Sequence, residues 1–259
     1  MMVPEAGPYE SLAHELTGSP FSAIRYVEET ESTNADAALL LPNDDRGGLT
    51  IVAEYQRGGS GRKGRQWEAP AGSALLCTTI LPRTLLADQL WLVPYWTALA
   101  VRGALAEFGI TTLLQWPNDL LLRERKIAGI LCLSSVAGNA ARVACGVGIN
   151  VYRFAGADHR VVPAPAFCDD AVTVERRALL GKLLRRYEAS LPVLDEPEVT
   201  IRLWNEAAHL PGRRYRIVPD NGTPFEATAL GLEPGGGLRV RRGDAAVEIV
   251  ALADARIER

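Results

Sequence analysis

The chain has 259 residues, 47% hydrophobic and 23% charged, which is the balance of a folded globular protein and excludes a disordered one. Lys and Arg number 28 against 31 Asp and Glu, a formal charge of −3, so any anion site has to be a local cluster rather than a global field. No apolar run approaches the roughly 20 residues of a membrane span, and the opening MMVPEAGPYESLAHEL lacks a basic stretch followed by an apolar core, so the expected location is the cytoplasm.

After this leader, AIRYVEE (23–29) reads as a strand and STNADAALLL (32–41) as a helix capped by Ser32. LTIVAEYQ (49–56) is β-rich and runs into a stretch of glycines and cations, followed by a buried strand at SALLCTTILP (73–82). Between Tyr95 and Phe108 the apolar residues Trp96, Leu99, Ala100, Ala104 and Leu105 recur at helical spacing, with Gly109 as the stop. TLLQW, KIAGILCLSSV and ARVACGVGINV read as three strands joined by tight turns, and 153–172 as a polar loop. A further helix carries Leu179, Leu180, Leu183, Leu184, Tyr187 and Leu191 on one face, and its Arg176, Arg177, Lys182, Arg185 and Arg186 read as a solvated face. From Pro211 the texture changes to short strands punctuated by DNG, PGGG and RGD turns, close to the lower size limit for an independent core. The reading is therefore a mixed α/β domain over 1–210 and a small all-β domain over 211–259. Cys77, Cys132, Cys145 and Cys168 form no CxxC pair and are expected as free thiols. His14, His159 and His209 lack ligand-like spacing, so no transition-metal site is expected.

The chemistry concentrates in Gln56-Arg-Gly-Gly-Ser-Gly-Arg-Lys-Gly-Arg-Gln-Trp67. Arg57, Arg62, Lys63 and Arg65 are interleaved with four glycines and no acid. Glycines let backbone N–H groups turn towards an anion, and arginines add charge-assisted, forked hydrogen bonds, so the stretch is a credible cradle for phosphate or carboxylate. Gly59-x-Gly61-x-x-Gly64 formally matches a dinucleotide fingerprint, but RQWEAPAGS follows where that fingerprint needs a helix. The GK[ST] of a Walker loop is absent, and a solvated turn remains the plain alternative for the stretch taken alone.

The run resembles the glycine-arginine loop of biotin protein ligases, Gly-Arg-Gly-Arg-x-Gly-Arg-x-Trp after a strand ending in Gln, through Gln56, Gly59, Gly61, Arg62, Gly64, Arg65 and Trp67. Three more segments resemble the same family in order: Ser32-Thr33-Asn34, then Trp116-Pro117-Asn118-Asp119 with Lys126-Ile-Ala-Gly129, then Gly146-Val-Gly148-Ile-Asn150. GTPFEATALGLEPGGGLRV resembles the family's small SH3-like domain, so the similarity covers roughly 24–259. One departure is Ser60, where the family usually has a cation. A backbone N–H can serve there, or Arg57 or Lys63 can stand in.

The resemblance implies a mixed-sheet ligase domain followed by an SH3-like barrel. It implies ATP and biotin as substrates, Mg²⁺, and a lysine of a biotin carboxyl carrier protein or domain as acceptor. Arg62 and Lys126 would hold carboxylate and phosphate, with Arg65 assisting. Biotin would meet Ser32, Thr33, Asn34, Gln56, Gly59, Ser60, Gly61 and Gly129, and the nucleotide Trp67, Asn118 and Asn150. Asp119 would bind Mg²⁺, take the proton of the attacking lysine, or fix the turn after Pro117. Only about 23 residues precede the first strand, too few for the helix-turn-helix module of some members, so specific DNA binding is not expected. The loop buries little apolar side chain, which predicts closure on ligand. Competing readings are a lipoate or octanoyl ligase, a biotin sensor weakened at Ser60, and a nucleic-acid module. Pairing of subunits through sheet edges is left open.

Overall fold

The computed structural model describes residues 7–42, 46–160, 163–220, 222–243, 246–252 and 255–258. Helix α1 (Glu10–Glu15) precedes β1 (Ile24–Thr30), and α2 (Thr33–Leu40) leads to β2 (Thr50–Gln56). Next come β3 (Ala74–Ile80), β4 (Leu85–Leu86), α3 (Leu92–Ala106), β5 (Leu113–Gln115) and β6 (Asp119–Leu122). The long hairpin β7 (Arg125–Ala137) and β8 (Ala140–Asn150) is followed by α4 (Ala157–Arg160), α5 (Arg176–Ser190) and α6 (Pro197–Ala207). β9 (Arg214–Pro219), β10 (Phe225–Leu232), β11 (Leu238–Arg241), β12 (Val247–Val250) and β13 (Ala255–Glu258) complete the chain.

The first eight strands form one sheet in the order β1-β2-β3-β8-β7-β6-β5, with β4 on β8. β1 and β2 run parallel and the other pairs antiparallel, so the sheet is mixed and the fold α/β. The last five form a separate antiparallel sheet, β12-β11-β10-β9-β13. Strand alternation assigns the two faces of the large sheet. Val52, Leu75, Cys77, Cys145 and Val147 join the main core under α3 and α5, where Trp96 stacks on Tyr187 at 4.8 Å. Their neighbours Ile51, Ile80 and Ala144 pack beneath α2 instead. Because both faces of β3 are covered, all seven of its residues are buried, which is why it reads as one apolar run.

Several expectations need correction. DLLL is a strand of its own, β6, paired with β5 and β7 and hidden in sequence by its shortness. α6 was not foreseen; its buried Thr200, Trp204 and Ala207 connect α3 to β10. The cations of α5 are not simply solvated: Arg176 makes two hydrogen bonds to Glu54 at 2.9 and 3.0 Å, Arg177 pairs with Glu15, and Lys182 and Arg186 share Glu107. The long loop holds α4 and a short 3-10 turn at Cys168–Asp170. Cys132 is only half-buried, whereas Cys77, Cys145 and Cys168 are buried; all four are free. Of the expected turns, Asn221 and Asp244 lie outside the described residues. No helix among the described residues is long and apolar enough to cross a membrane.

Candidate active site

The α2 face of the large sheet carries a cavity of about 650 Å³, a size suited to a small ligand. Its floor is β8 and β7, its polar end the start of α2, and its roof the cation-rich segment after β2. Gly129 and Gly148 face each other across β7 and β8. A Cβ on Gly148 would stand 2.7 Å from the Trp67 indole, and one on Gly129 would meet both Trp67 and the Lys126 side chain near 3.0 Å. The glycines thus make a flat bed on which Trp67 lies, with the Lys126 ammonium 5.3 Å from its ring centroid.

The polar end is a connected network. Ser32 stands at the N-cap of α2 but makes no side-chain cap bond, contrary to expectation. The N–H of Thr33, the first helical residue, donates to Gln56 Oε1 at 2.8 Å, and the Thr33 hydroxyl donates to the same oxygen at 3.0 Å. Thr78 Oγ1 lies 2.8 Å from both Thr33 Oγ1 and Asn34 Oδ1, and its single proton serves one of them at a time. Asn34 Nδ2 donates to the Leu131 carbonyl at 3.1 Å. It fits there because Gly146 has no Cβ; one would fall 2.2 Å from Asn34 Oδ1. Thr78, fully buried behind Thr33 and Asn34, was not foreseen, since it lies in the middle of an apolar strand.

The roof is a small hairpin rather than an open loop. Ser60 bridges to Gln66, Trp67 N–H donates to the Gly59 carbonyl at 2.7 Å, and Gly61 N–H to Arg65 at 2.7 Å. Lys63 and Gly64 turn at its tip with φ of 57° and 71°. Arg62 and Arg65 line the cavity together with Ser60 and Gly61. Gly59 is buried beside them, where a Cβ would strike the Trp67 carbonyl at 2.4 Å. Arg57 is turned away, exposed and paired with Glu29 and Glu31, so it does not replace the missing cation at Ser60. Burial pulls the Arg62 pKa down, and Arg65 adds to this, while Tyr95, Asp119 and Asp220 oppose it. An arginine remains charged at neutral pH even so.

On the opposite rim, Lys126 Nζ pairs with Asp119 at 2.6 Å, and Asp119 is largely buried. Asn118 also lines the cavity, but its Nδ2 donates to the Ile130 carbonyl at 2.7 Å, tying β6 to β7. Asn150 Nδ2 donates to the Ala166 carbonyl at 3.0 Å, holding the segment after β8 against Lys126. That segment supplies a wall missed in the sequence: Phe154, Phe167, Pro163 and Pro165. Phe154 and Phe167 meet edge-on at 5.8 Å. Asp170 holds the segment in place. Burial would raise its pKa, but hydrogen bonds from Arg153 and the Phe167 N–H, and the charges of Arg153 and Arg125, hold it below the ordinary carboxylate value. The missed signal was composition: 153–172 holds Ala, Val and Pro alongside its two Phe residues and is less polar than the loop reading assumed. Of the sites named in the sequence, Ser32, Thr33, Asn34, Gln56, Ser60, Gly61, Arg62, Arg65, Trp67, Asn118, Asp119, Lys126, Gly129 and Asn150 come together here.

An apolar bed with a polar end and a cationic rim suits a small organic acid beside a phosphate, carried on a mixed sheet. Residues 26–150 match the model of the Biotin/lipoate A/B protein ligase family, so the chain carries a domain of that family. A "Biotin--[acetyl-CoA-carboxylase] ligase" of Paracoccus denitrificans is 37% identical over 48% of this chain and 53% of its own length. The Mycobacterium tuberculosis protein of that name is 34% identical over 67% of this chain and 66% of its own. The matches therefore span about half to two thirds of these relatives. In fold, the biotin protein ligase of Aquifex aeolicus, solved in complex with biotin and ATP, superposes with a TM-score of 0.72 at 21% identity, covering 91% of this chain and 98% of that one.

Proposed function

We propose that the protein is an ATP-dependent biotin protein ligase, which forms biotinyl-5'-AMP and passes biotin to a lysine of a biotin carboxyl carrier protein or domain. The observation that carries this reading is the convergence of Arg62 and the Lys126–Asp119 pair on one cavity whose floor is two opposed glycines. Residues 1–210 would be the catalytic domain and 211–259 the small C-terminal one.

In the first half-reaction a biotin carboxylate oxygen bonds to the α-phosphorus of ATP, and the bond to the departing pyrophosphate breaks. Negative charge gathers on the equatorial oxygens, so fixed cations are the natural catalyst. Lys126 and Arg62 would hold carboxylate and phosphate, and Arg65 would assist from the hairpin. Thr33 and Gln56 would recognise the ureido group, with their hydroxyl and amide already oriented by the network. Trp67 and the Phe154–Phe167 wall would enclose the anhydride and base and exclude water. In the second half-reaction a neutral lysine amine bonds to the biotin carbonyl carbon, the carbonyl–oxygen bond to AMP breaks, and the amine proton must leave. Asp119 is suitably placed to take it once Lys126 has turned to the phosphate.

Mg²⁺ enters the proposal with the nucleotide and would neutralise phosphate charge. Such ions keep water and substrate phosphates as most of their ligands, so the single Asp119 carboxylate fits as the protein's share.

The test is pyrophosphate release from ATP with biotin and Mg²⁺, beside lipoate and a no-acid control. Biotin-dependent release is expected. Release with lipoate alone would assign the sister activity, and tight biotin binding without release would make the protein a sensor.

A further inference from the structure

The tip of the active-site hairpin is held by the small β domain. Lys63 Nζ is paired with the carboxylate of Asp220, which follows β9, and Arg62 donates to the carbonyl of Leu252, between β12 and β13. Two neighbouring cations are thus caught by two separate loops of one domain. That domain is itself fixed. The Tyr95 hydroxyl of α3 donates to the Gly236 carbonyl at 2.5 Å and receives Trp116 Nε1 at 3.0 Å. A Cβ on Gly236 would meet the Tyr95 and Trp91 rings at 3.0 and 3.2 Å, so the two parts interlock without a gap. Arg213 adds hydrogen bonds to Gln115 at 3.4 Å and Glu124 at 3.0 Å. Within its own domain the hairpin is held at its base, where Trp67 lies on Gly129 and Gly148, and its internal bonds fix its shape; the small domain takes hold at the tip.

We propose that Asp220 is a positioning residue: by holding Lys63 it keeps the hairpin tip, and with it Arg62, over the mouth of the cavity. Arg62 exchanges the Leu252 carbonyl for the substrate anion, a stronger acceptor, while the Lys63–Asp220 pair keeps the tip from swinging into solvent. The inference rests on the ligase reading for the identity of the anion, and on the hairpin geometry alone for the latch.

Lys63 and Asp220 are 24% and 50% exposed in their side chains, so the pair is screened and its effect moderate. Asp220→Asn is expected to raise KM for biotin and ATP about threefold to fivefold, with kcat within about twofold, a split that general destabilisation would not give. Trypsin should cut faster after Arg62, Lys63 and Arg65 in the variant. Raising salt should weaken the wild type towards it. The exchanged pair, Lys63→Asp with Asp220→Lys, should recover KM and slow cleavage after Arg62 and Arg65. Should Asp220→Asn fold poorly, Lys63→Gln removes the same pair from the other side. Unchanged cleavage and KM in whichever single variant folds would overturn the proposal. A wild type that releases no pyrophosphate with biotin would sink the ligase reading, and the cleavage comparison would still decide the latch.

Discussion

The floor and roof of the cavity are built on opposite principles. The floor belongs to β3, β7 and β8, whose ladders run unbroken through Gly129, Gly146 and Gly148, and Thr78 of β3 ties it to Thr33 and Asn34 of α2 and, through Thr33, to Gln56 of β2. Its shape follows from sheet register, and the missing Cβ atoms leave room for Trp67 and Asn34. The roof is a hairpin with few buried side chains, held by backbone bonds within itself and by charge at its tip. A site can therefore combine a rigid surface that fixes one reactant with a charged cover that admits and retains another.

The sharpest way to break this contrast is to remove a cation from each rim. Lys126→Ala and Arg62→Ala should each lower biotin-dependent pyrophosphate release by about 10²- to 10³-fold, the usual effect of losing one charge-stabilising group. A loss under tenfold for Arg62 would mean that the roof covers the substrate without acting on it. Next comes the floor's shape. Gly148→Val places its side chain against the Trp67 indole, so affinity for biotin, read by calorimetry, should fall at least about fivefold, as for overpacking that costs roughly 1–3 kcal/mol. Adding Trp67→Ala should recover part of that loss, and no recovery would show that the valine acts elsewhere.

Asn34→Ala probes the floor's rigidity. It strips the Leu131 carbonyl and the Thr78 hydroxyl of a buried hydrogen-bonding group, which should cost about 1–3 kcal/mol in urea unfolding. A cost below about 0.5 kcal/mol would show that water replaces the amide. The smallest effect is expected on the roof at Ser60, whose backbone makes the bridge to Gln66 and whose side chain is exposed. Ser60→Arg should shift KM for ATP by less than about threefold, in line with the weakness of exposed charges. A larger gain would mean that the cation absent here is a working part of the cover.

Much of the site was legible because the chemistry is local in sequence. The run from Gln56 to Trp67 announces an anion cradle through its residue types, and Lys126, Asp119 and Asn150 sit within short recognisable segments. What escaped were residues whose role depends on a distant neighbour. Thr78 is one residue of a buried apolar strand until Asn34 lies over it. Gly59 reads like its neighbouring glycines until the hairpin turns it inward. Phe154 and Phe167 are far apart in the chain and meet where Asp170 and Arg153 fold the intervening segment back. The N–H of Thr33 likewise finds its acceptor in Gln56, on the parallel neighbour of β1, a partner that sequence proximity does not reveal.

By itself the sequence determined the mixed strand and helix content, the change of texture near Pro211, and the inventory of cations and glycines, since these follow from periodicity, turn chemistry and composition. Tertiary structure alone decided that Gly129 and Gly148 become one surface, that Arg57 points away while Arg62 points in, and that a carboxylate 157 residues along the chain takes hold of Lys63. The physical reason is that periodicity fixes which face a side chain takes, whereas sheet order and domain docking fix what that face meets.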